Sequence, residues 1–475
     1  MWGGPGDSVC VDGSSLGYPP IDRARPSEGM SWLTEGQHEP TARHARPTAP
    51  EDDKTTAFNV APVMKPIPPR PEPEVESEVV PRVMLLGGGE SSRELAIALQ
   101  GLGAEVIAVD GYAGAPAHRV ADQSVVVAMT DAEELTAVIR RLRPDFAVTV
   151  DDAVSPAALA GVGSQADSEF TELVPNARSV RLVADREGLR RLAADQLGLP
   201  TAPFWFVGSL GELEAVAAHA GFPLLVKPVA GGQGGQGSSV VAGPGEVEAA
   251  WQRAVAPQAE PEAGGAGPRV WAESVVEVEF LVTMIVVCRD GPTGPVMEFC
   301  APIGHRDADA GGLESWQPQQ MSTAARDAAR SIAARIVKAL GGRGVYCVEL
   351  MINGDEVYFA DVTVCPAESA WVTVRSQRLS VFELQARATL GLAVDTMMIS
   401  PGAARMMNPS RTAGRASIGV PDAEALTHAL GVPESDVRVF GRGLGVALAT
   451  APELATARDR AREVASRLNV RDSRG

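Results

Sequence analysis

The chain has 475 residues, of which 45% are hydrophobic and 21% are charged, an ordinary composition for a soluble globular protein of two or three domains. Its formal net charge of −18 argues against nucleic acid or an anionic membrane as the main partner, because both require a basic face. No apolar run reaches the length of a membrane span, and the start MWGGPGDSVC lacks the basic and apolar regions of a signal peptide.

The first 81 residues hold 14 of the 36 prolines and few aliphatic pairs. Such a segment buries too little apolar surface to offset its ordering entropy, so we predict a disordered extension over 1–81. The five cysteines of the chain are scattered and show no metal-ligand spacing with the six histidines. This pattern favours reduced thiols, packed as small core residues, in a cytoplasmic protein.

A parallel α/β domain is predicted over 82–178. VMLLGG is a short buried strand, and SSRELAIALQGLG places its leucines and alanines on one helical stripe that ends at Gly103. EVIAVD follows as a second strand, DAEELTAVIRRLR as a second helix and FAVTV as a third strand. Alternation of strands and helices at this spacing is typical of a parallel sheet.

Mixed α+β structure is predicted for the rest of the chain, with a central domain over 179–401 and a small C-terminal domain over 402–475. The segment SVRLVADREGLRRLAADQLGLPT is predicted as one amphipathic helix, and VWAESVVEVEFLVTMIVV as long strands. Residues 323–340 are predicted as a helix, and YCVELMINGDEVYFAD as a hairpin.

A glycine-rich stretch, KPVAGGQGGQGSS, occupies residues 227–239. Glycines and serines in such a loop can present backbone N–H groups to a phosphate. After Lys227, however, the stretch contains no lysine or arginine. The sequence therefore predicts a backbone cradle for phosphate that contains no cation after Lys227. It is a working nucleotide grip, a grip adapted to another ligand, or a remnant of one.

A second glycine motif, LGGGESS at 86–92, directly follows the first strand. With Gly87, Gly89 and, at the end of the next strand, Asp110, it approximates a dinucleotide-binding fingerprint. Two other interpretations stay open. The glycines close a strand–helix corner, or the sheet edge binds a small molecule through Glu90.

Two carboxylates, Glu349 and Asp361, lie in the otherwise apolar strands of the predicted hairpin. A three-residue loop over 353–355 would put both on one face of the sheet, whereas a two-residue Asn-Gly turn would put them on opposite faces. Two carboxylates on one face favour a divalent cation such as Mg²⁺ that bridges nucleotide phosphates. The alternative is that Asp361 is merely an acid at a strand end.

The segments RVMLLGGGE, DREGLRRLAA, LLVKPV, FCAPIGHR, ESWQPQQMS and VELMINGDEVYFADV resemble the formate-dependent phosphoribosylglycinamide formyltransferase family of ATP-grasp enzymes. The resemblance runs in the same order from about Arg82 to the C-terminus. It implies a pre-ATP-grasp α/β domain, an ATP-grasp domain and a small C-terminal domain. It also implies a cytoplasmic, homodimeric enzyme of purine biosynthesis that uses ATP and Mg²⁺ to activate formate as formyl phosphate and then formylates a primary amine.

The same resemblance assigns roles to individual residues. Arg186 and Lys227 would contact the ATP phosphates, and Glu349 and Asp361 would hold Mg²⁺. The remaining nucleotide contacts would come from the glycine loop, the adenine-binding segment and a ribose contact, namely Gly234, Gly235, Gly237, Glu273, Val276 and Glu279. The amine substrate would be bound by Gly89, Glu90, Asp152, Glu368 and Arg442.

The sequence departs from the family pattern at functional positions. Gly235 stands where the family has a lysine, Leu281 where it has the acid for the ATP ribose, and Cys365 where it has an arginine for the transferring phosphate. Glu279, two residues before Leu281, lies on the same strand face and could replace the acid. Near the C-terminus, Arg442 alone remains of the basic residues that grip the substrate phosphate. Two alternatives therefore accompany the main hypothesis: a paralogue with another amine acceptor, and an inactive nucleotide-binding homologue.

Overall fold

The computed structural model describes residues 80–150, 154–162, 171–229, 237–256, 267–308, 312–407, 423–441 and 444–469. The predicted disordered extension over 1–81 lies almost wholly outside the described residues. The same holds for four of the predicted site residues, which are Asp152, Gly234, Gly235 and Arg442.

A five-stranded parallel sheet forms the N-terminal part of the described chain, as the strand–helix alternation predicts. Its order is β3–β2–β1–β4–β5, where the strands are β1 (Arg82–Leu86), β2 (Glu105–Asp110), β3 (Gln123–Val126), β4 (Phe146–Thr149) and β5 (Glu172–Val174). Three helices connect them, namely α1 (Glu90–Gln100), α2 (Ala132–Leu142) and α3 (Pro156–Val162). Apolar side chains on both sides of the sheet are buried, which is expected of a parallel sheet covered on both faces.

The helix predicted after this sheet is divided into two. Asp185 ends α4 (Ala177–Ala184) and caps α5 (Arg186–Arg191), because its carboxylate accepts a hydrogen bond from the Gly188 N–H at 2.9 Å. A turn of π-helix over Leu192–Gln196 follows. The new helix start places Arg186 and Arg190, four residues apart, on the same face of α5.

A four-stranded antiparallel sheet comes next, in the order β6–β9–β7–β8. Its strands are β6 (Phe204–Val207), β7 (Leu224–Pro228), β8 (Ser239–Val241) and β9 (Val270–Ser274). Two helices, α6 (Leu210–Ala220) and α7 (Val247–Val255), pack on one face around an aliphatic core. The other face carries Phe204, Phe206, Lys227, Trp271 and Glu273, since these residues occupy alternating and paired positions.

The third sheet is antiparallel and has nine described strands, in the order β15–β14–β10–β12–β13–β16–β18–β17, with β11 paired to β10. They are β10 (Phe280–Gly291), β11 (Gly294–Phe299), β12 (Ile303–Asp307), β13 (Leu313–Gln317), β14 (Gly344–Asn353), β15 (Glu356–Thr363), β16 (Gly402–Met407), β17 (Ser435–Gly441) and β18 (Leu444–Thr450). The last three strands thus extend the sheet of the central region instead of forming a separate one.

Helices cover both faces of the third sheet. The predicted helix over 323–340 is present as α8 (Thr323–Leu340) and packs on one face. The others are α9 (Thr373–Ser376), α10 (Val381–Thr389), α11 (Ala423–Leu430) and α12 (Leu454–Asn469). The segment predicted as long strands, 270–287, is shared between two sheets, because β9 belongs to the second sheet and β10 to the third.

The described cysteines agree with the prediction of small core residues. Cys288, Cys300 and Cys347 are buried thiols that form no disulfide, and Cys365 is half-buried. In the described part of the chain, no helix combines the length and the apolar character that crossing a membrane demands.

Candidate active site

Lys227 lies on β7, on the face of the second sheet that is not covered by α6 and α7. Its Nζ is 3.0 Å from Oε2 of Glu273 and 4.5 Å from the centre of the Trp271 ring. Arg186, the first residue of α5, donates to the carbonyl oxygen of Pro228, which follows Lys227, at 3.3 Å. The two cations predicted to contact phosphate are therefore brought to one place, where β7 leads into the glycine-rich stretch.

Arg190 is a residue of this site that the sequence analysis did not identify. Its Nη2 donates to Oε1 of Glu273 at 2.9 Å, and its Nη1 donates to the carbonyl oxygen of Phe359 on β15 at 3.0 Å. The arginine is only 3% exposed. Its spacing of four residues from Arg186 was the available signal, because that spacing places both side chains on one helix face.

Glu349 and Asp361 lie directly opposite each other on β14 and β15. The turn has two residues, Gly354 and Asp355, because Asn353 pairs with Glu356. Neither of the two turns considered from the sequence, the three-residue loop over 353–355 and the Asn-Gly turn, is therefore present. Instead, a β-bulge between Glu349 and Leu350 shifts the register by one residue, which returns Asp361 to the face that carries Glu349.

Both carboxyl groups have raised pKa values. Burial, and after it the charge of Asp361, raise the pKa of Glu349 to about 7. The pKa of Asp361 is also raised, because desolvation of its carboxyl by the surrounding protein outweighs the hydrogen bond from the Val362 N–H and the attraction of the nearby cations. The residue as a whole is exposed. A pair of this kind needs a cation to hold both charges at neutral pH.

The donor set suits Mg²⁺. The cation prefers oxygen ligands and is commonly bound by one or two carboxylates together with substrate phosphates. Among the described residues no group of three His, Cys, Asp or Glu side chains is arranged around a metal position, so Glu349 and Asp361 would supply two ligands. The phosphate oxygens of the nucleotide would have to supply further ligands. Lys227, the predicted phosphate contact, is close enough to Glu349 to lower the pKa of its carboxyl.

The segment expected to hold adenine and ribose connects the second and third sheets. Glu273 lies near the end of β9 and is buried. Val276 lies in the connection and is half-buried, and Glu279 is exposed. Leu281 is 37% exposed on β10, and it lies opposite His305 of β12. His305 is buried, its Nε2 has no hydrogen-bond partner in the described part of the chain, and burial lowers the pKa of the imidazole to about 4.

Of the glycine loop, Gly237 is described and has a φ of +82°, a conformation that favours glycine. Gly234 and Gly235 lie outside the described residues, so the backbone cradle and the lysine replacement at Gly235 remain predictions.

Asp110 binds the backbone of the first glycine motif. Oδ2 of Asp110 accepts from the Gly88 N–H at 2.7 Å and Oδ1 accepts from the Gly111 N–H at 2.6 Å. The carboxylate thus fastens the strand–helix corner, which favours the structural interpretation of the motif over the dinucleotide one. Gly89 is exposed at the start of α1, and Glu90 forms an ion pair with Arg93 at 2.9 Å.

The predicted substrate residues come from four parts of the chain. Arg93 also donates to the carbonyl oxygen of Val439 on β17 at 3.2 Å, which connects Glu90 with the strand that precedes Arg442. Glu368 follows β15 and is exposed as a residue. Desolvation of its carboxyl by neighbouring protein atoms raises its pKa. Asp152 and Arg442 themselves lie outside the described residues.

Cys365 stands where the resemblance places an arginine. It is half-buried, and its carbonyl oxygen accepts a hydrogen bond from the Thr363 hydroxyl at 3.0 Å. The position is four residues after Asp361, close to the carboxylate pair along the chain. A thiol there supplies no positive charge to a phosphate.

Comparison with known proteins agrees with this geometry. The ATP-grasp domain family model matches residues 192–382. The formate-dependent phosphoribosylglycinamide formyltransferases of Rhodococcus jostii and Corynebacterium glutamicum are 44% and 43% identical over 398 residues, which is 82% of this chain and 94% of each relative.

Solved structures show the same relationship. A structure described as glycinamide-RNase-transformylase T from Mycobacterium tuberculosis is 75% identical, with a TM-score of 0.70, and the match covers 82% of this chain and all of that one. An N5-carboxyaminoimidazole ribonucleotide synthetase in complex with ADP shares the fold at 18% identity, with a TM-score of 0.68, over 81% of this chain and 97% of its own. The chain therefore belongs to the formate-dependent phosphoribosylglycinamide formyltransferase family of ATP-grasp enzymes.

Proposed function

We propose that this enzyme uses ATP and Mg²⁺ to join formate to the amino group of phosphoribosylglycinamide. A formate oxygen attacks the γ-phosphorus, the bond to the bridging β–γ oxygen breaks, and ADP leaves. The amine nitrogen then attacks the carbon of formyl phosphate, the C–O bond to phosphate breaks, and phosphate leaves as the nitrogen loses a proton. Most of the rate enhancement in such a sequence comes from positioning and charge neutralisation.

The observation that carries the proposal is the opposed pair Glu349 and Asp361 on one face of the hairpin, within electrostatic range of Lys227. Lys227 and the two carboxylates lie on separate sheets, and a ligand that is anionic on one side and metal-bound on the other would satisfy both. When bound, Mg²⁺ would offset the negative charge that develops on the phosphates. The nucleotide phosphates of ATP meet that description.

One set of residues binds the nucleotide and another binds the amine substrate. Lys227 and Arg186 neutralise phosphate charge, and the loop with Gly234, Gly235 and Gly237 donates backbone N–H groups. The segment from Glu273 to Val276 holds adenine, while Glu279 replaces the missing ribose acid. The amine substrate is bound by a separate set, namely Gly89, Glu90, Asp152, Glu368 and Arg442. From the family we also propose a cytoplasmic homodimer.

The experiment is phosphate release from ATP with Mg²⁺ and formate, with and without phosphoribosylglycinamide. We expect release that requires both formate and the ribonucleotide and that is lost in Glu349→Gln. Glu214→Gln, which changes an exposed glutamate on α6, is the matched control and should behave like the wild type. Release that needs formate but ignores the ribonucleotide would mean another amine acceptor. No release above that of Glu349→Gln would mean an inactive homologue.

A further inference from the structure

Arg190 occupies the junction between the two sheets that form the site. It is almost fully buried on α5, and its two terminal nitrogens bind groups on different sheets. One group is the carboxylate of Glu273 on β9. The other is the carbonyl oxygen of Phe359, two residues before Asp361 on β15. A single guanidinium therefore connects the strand beside Lys227 with the strand that carries a predicted metal ligand.

Glu273 is shared between two cations. Its Oε1 accepts from Arg190 at 2.9 Å and its Oε2 from Lys227 at 3.0 Å, and the residue is only 5% exposed. The Trp271 ring contacts both cations, because its centre is 4.6 Å from Cζ of Arg190 and 4.5 Å from Nζ of Lys227. The geometry of both charges is thus set by one buried carboxylate and one aromatic face.

The two cations differ in their access to solvent. Lys227 keeps a side-chain exposure of 25%, whereas Arg190 keeps 3%. Only the lysine can therefore turn toward a ligand. If Lys227 were the sole partner of Glu273, its attraction to a phosphate would leave a buried carboxylate without a counter-charge, which is strongly unfavourable. Arg190 removes that obstacle because it stays on Glu273.

We infer that Arg190 is a positioning residue that keeps Glu273 neutralised, so that Lys227 is released to bind the nucleotide phosphates. This inference rests on the proposed ATP site and concerns nucleotide binding, not the identity of the amine acceptor. In Arg190→Met, Glu273 holds Lys227 alone, and nucleotide binding has to break that pair. Removing the carboxylate as well, in Arg190→Met with Glu273→Gln, frees the lysine again.

The test is a double-mutant cycle on the dissociation constant of ATP with Mg²⁺, measured by calorimetry on the full chain. We expect Arg190→Met to weaken ATP binding at least about tenfold, because the nucleotide must then break the charged hydrogen bond between Lys227 and Glu273. Glu273→Gln alone should have a smaller effect. The double variant should bind more tightly than Arg190→Met. Arg191→Met, a change of an exposed neighbour on the same helix, is the matched control and should bind as the wild type does.

Weakening that is simply additive in the double variant would overturn the inference, because a purely structural arginine predicts additive damage. Arg190→Lys controls for misfolding of the methionine variant. It keeps a positive charge beside Glu273 and should retain most of the affinity for ATP. An affinity loss in Arg190→Lys equal to that of Arg190→Met would also overturn the inference. Wild-type ATP binding without formate-dependent turnover would reject the proposed function while leaving the cycle a valid test, and a wild type that binds no ATP would reject both.

Discussion

Replacing Glu349 by glutamine is expected to abolish turnover and, at the same time, to stabilise the ligand-free protein at alkaline pH. The reason is that burial and Asp361 raise the pKa of Glu349 from 4.5 to about 7. A carboxyl whose pKa is higher in the folded state contributes stability that is complete below the unfolded pKa and is lost as the pH rises through the folded pKa. Above pH 7 Glu349 is charged in both states, but only in the folded state is that charge buried and close to Asp361, so its ionisation destabilises the fold.

The size of this effect follows from the shift. A difference of about 2.5 pKa units corresponds to about 3 kcal/mol at pH 8 and about half of that at pH 5.5. Glu349→Gln should therefore melt at a higher temperature than the wild type at pH 8 without ligand, and the advantage should shrink at pH 5.5. Addition of ATP and Mg²⁺ should reverse the order, because only the wild type gains the metal.

Thermal unfolding followed by circular dichroism at the two pH values checks this, with Glu214→Gln as the control that should show no pH-dependent difference. If Glu349→Gln melts at or below the wild-type temperature at pH 8, or if its advantage is the same at both pH values, then Glu349 is not a buried carboxyl destabilised by its surroundings and by Asp361. In that case the geometry proposed for the metal site would be wrong.

Three further predictions concern other parts of the molecule. Asp361→Asn removes the charge of one of the two predicted metal ligands at nearly unchanged side-chain size, so Mg²⁺-dependent phosphate release should fall on the order of a hundredfold. Retained activity would show that Asp361 is not a metal ligand. Cys365→Arg should raise the rate of formate-dependent phosphate release by up to about a hundredfold, whereas Cys365→Ser should not raise it. An unchanged rate in the arginine variant would contradict the assignment of position 365 to the family's phosphate-binding arginine. Glu314 is 1% exposed and pairs with Arg306, Arg458 and Arg462. Glu314→Gln should destabilise the fold by about 3 kcal/mol in thermal unfolding with kcat unchanged, and an altered kcat would refute a purely structural role.

The pH dependence at Glu314 has the opposite sign to that at Glu349. Burial works against the charged form, but hydrogen bonds from Arg458 and Arg306 lower the pKa of Glu314 below its usual range. Its stabilisation is therefore present above the unfolded pKa and is lost as the pH falls through the folded pKa. The difference in the free energy of unfolding between Glu314→Gln and the wild type should accordingly become smaller at acidic pH.

The sequence by itself determined the elements whose signal is local. Strand–helix alternation predicted the parallel sheet, and the apolar stripe of 323–340 predicted α8, because side-chain periodicity follows directly from backbone geometry. The hairpin and its two acids were also readable from the sequence, as was the likeness to one enzyme family. These features depend on neighbours along the chain, which is what a sequence displays.

Only the tertiary structure decided how the site is assembled. The β-bulge that sets Asp361 opposite Glu349 depends on how β14 and β15 pair, and neither turn considered from the sequence predicted it. Likewise, 270–287 is divided between two sheets because each half finds a different partner strand. Arg190 acquires its place from Glu273 and Phe359, which are 83 and 169 residues distant along the chain. Contacts between distant segments are set by packing and by the need to pair buried charges, and no local pattern records them.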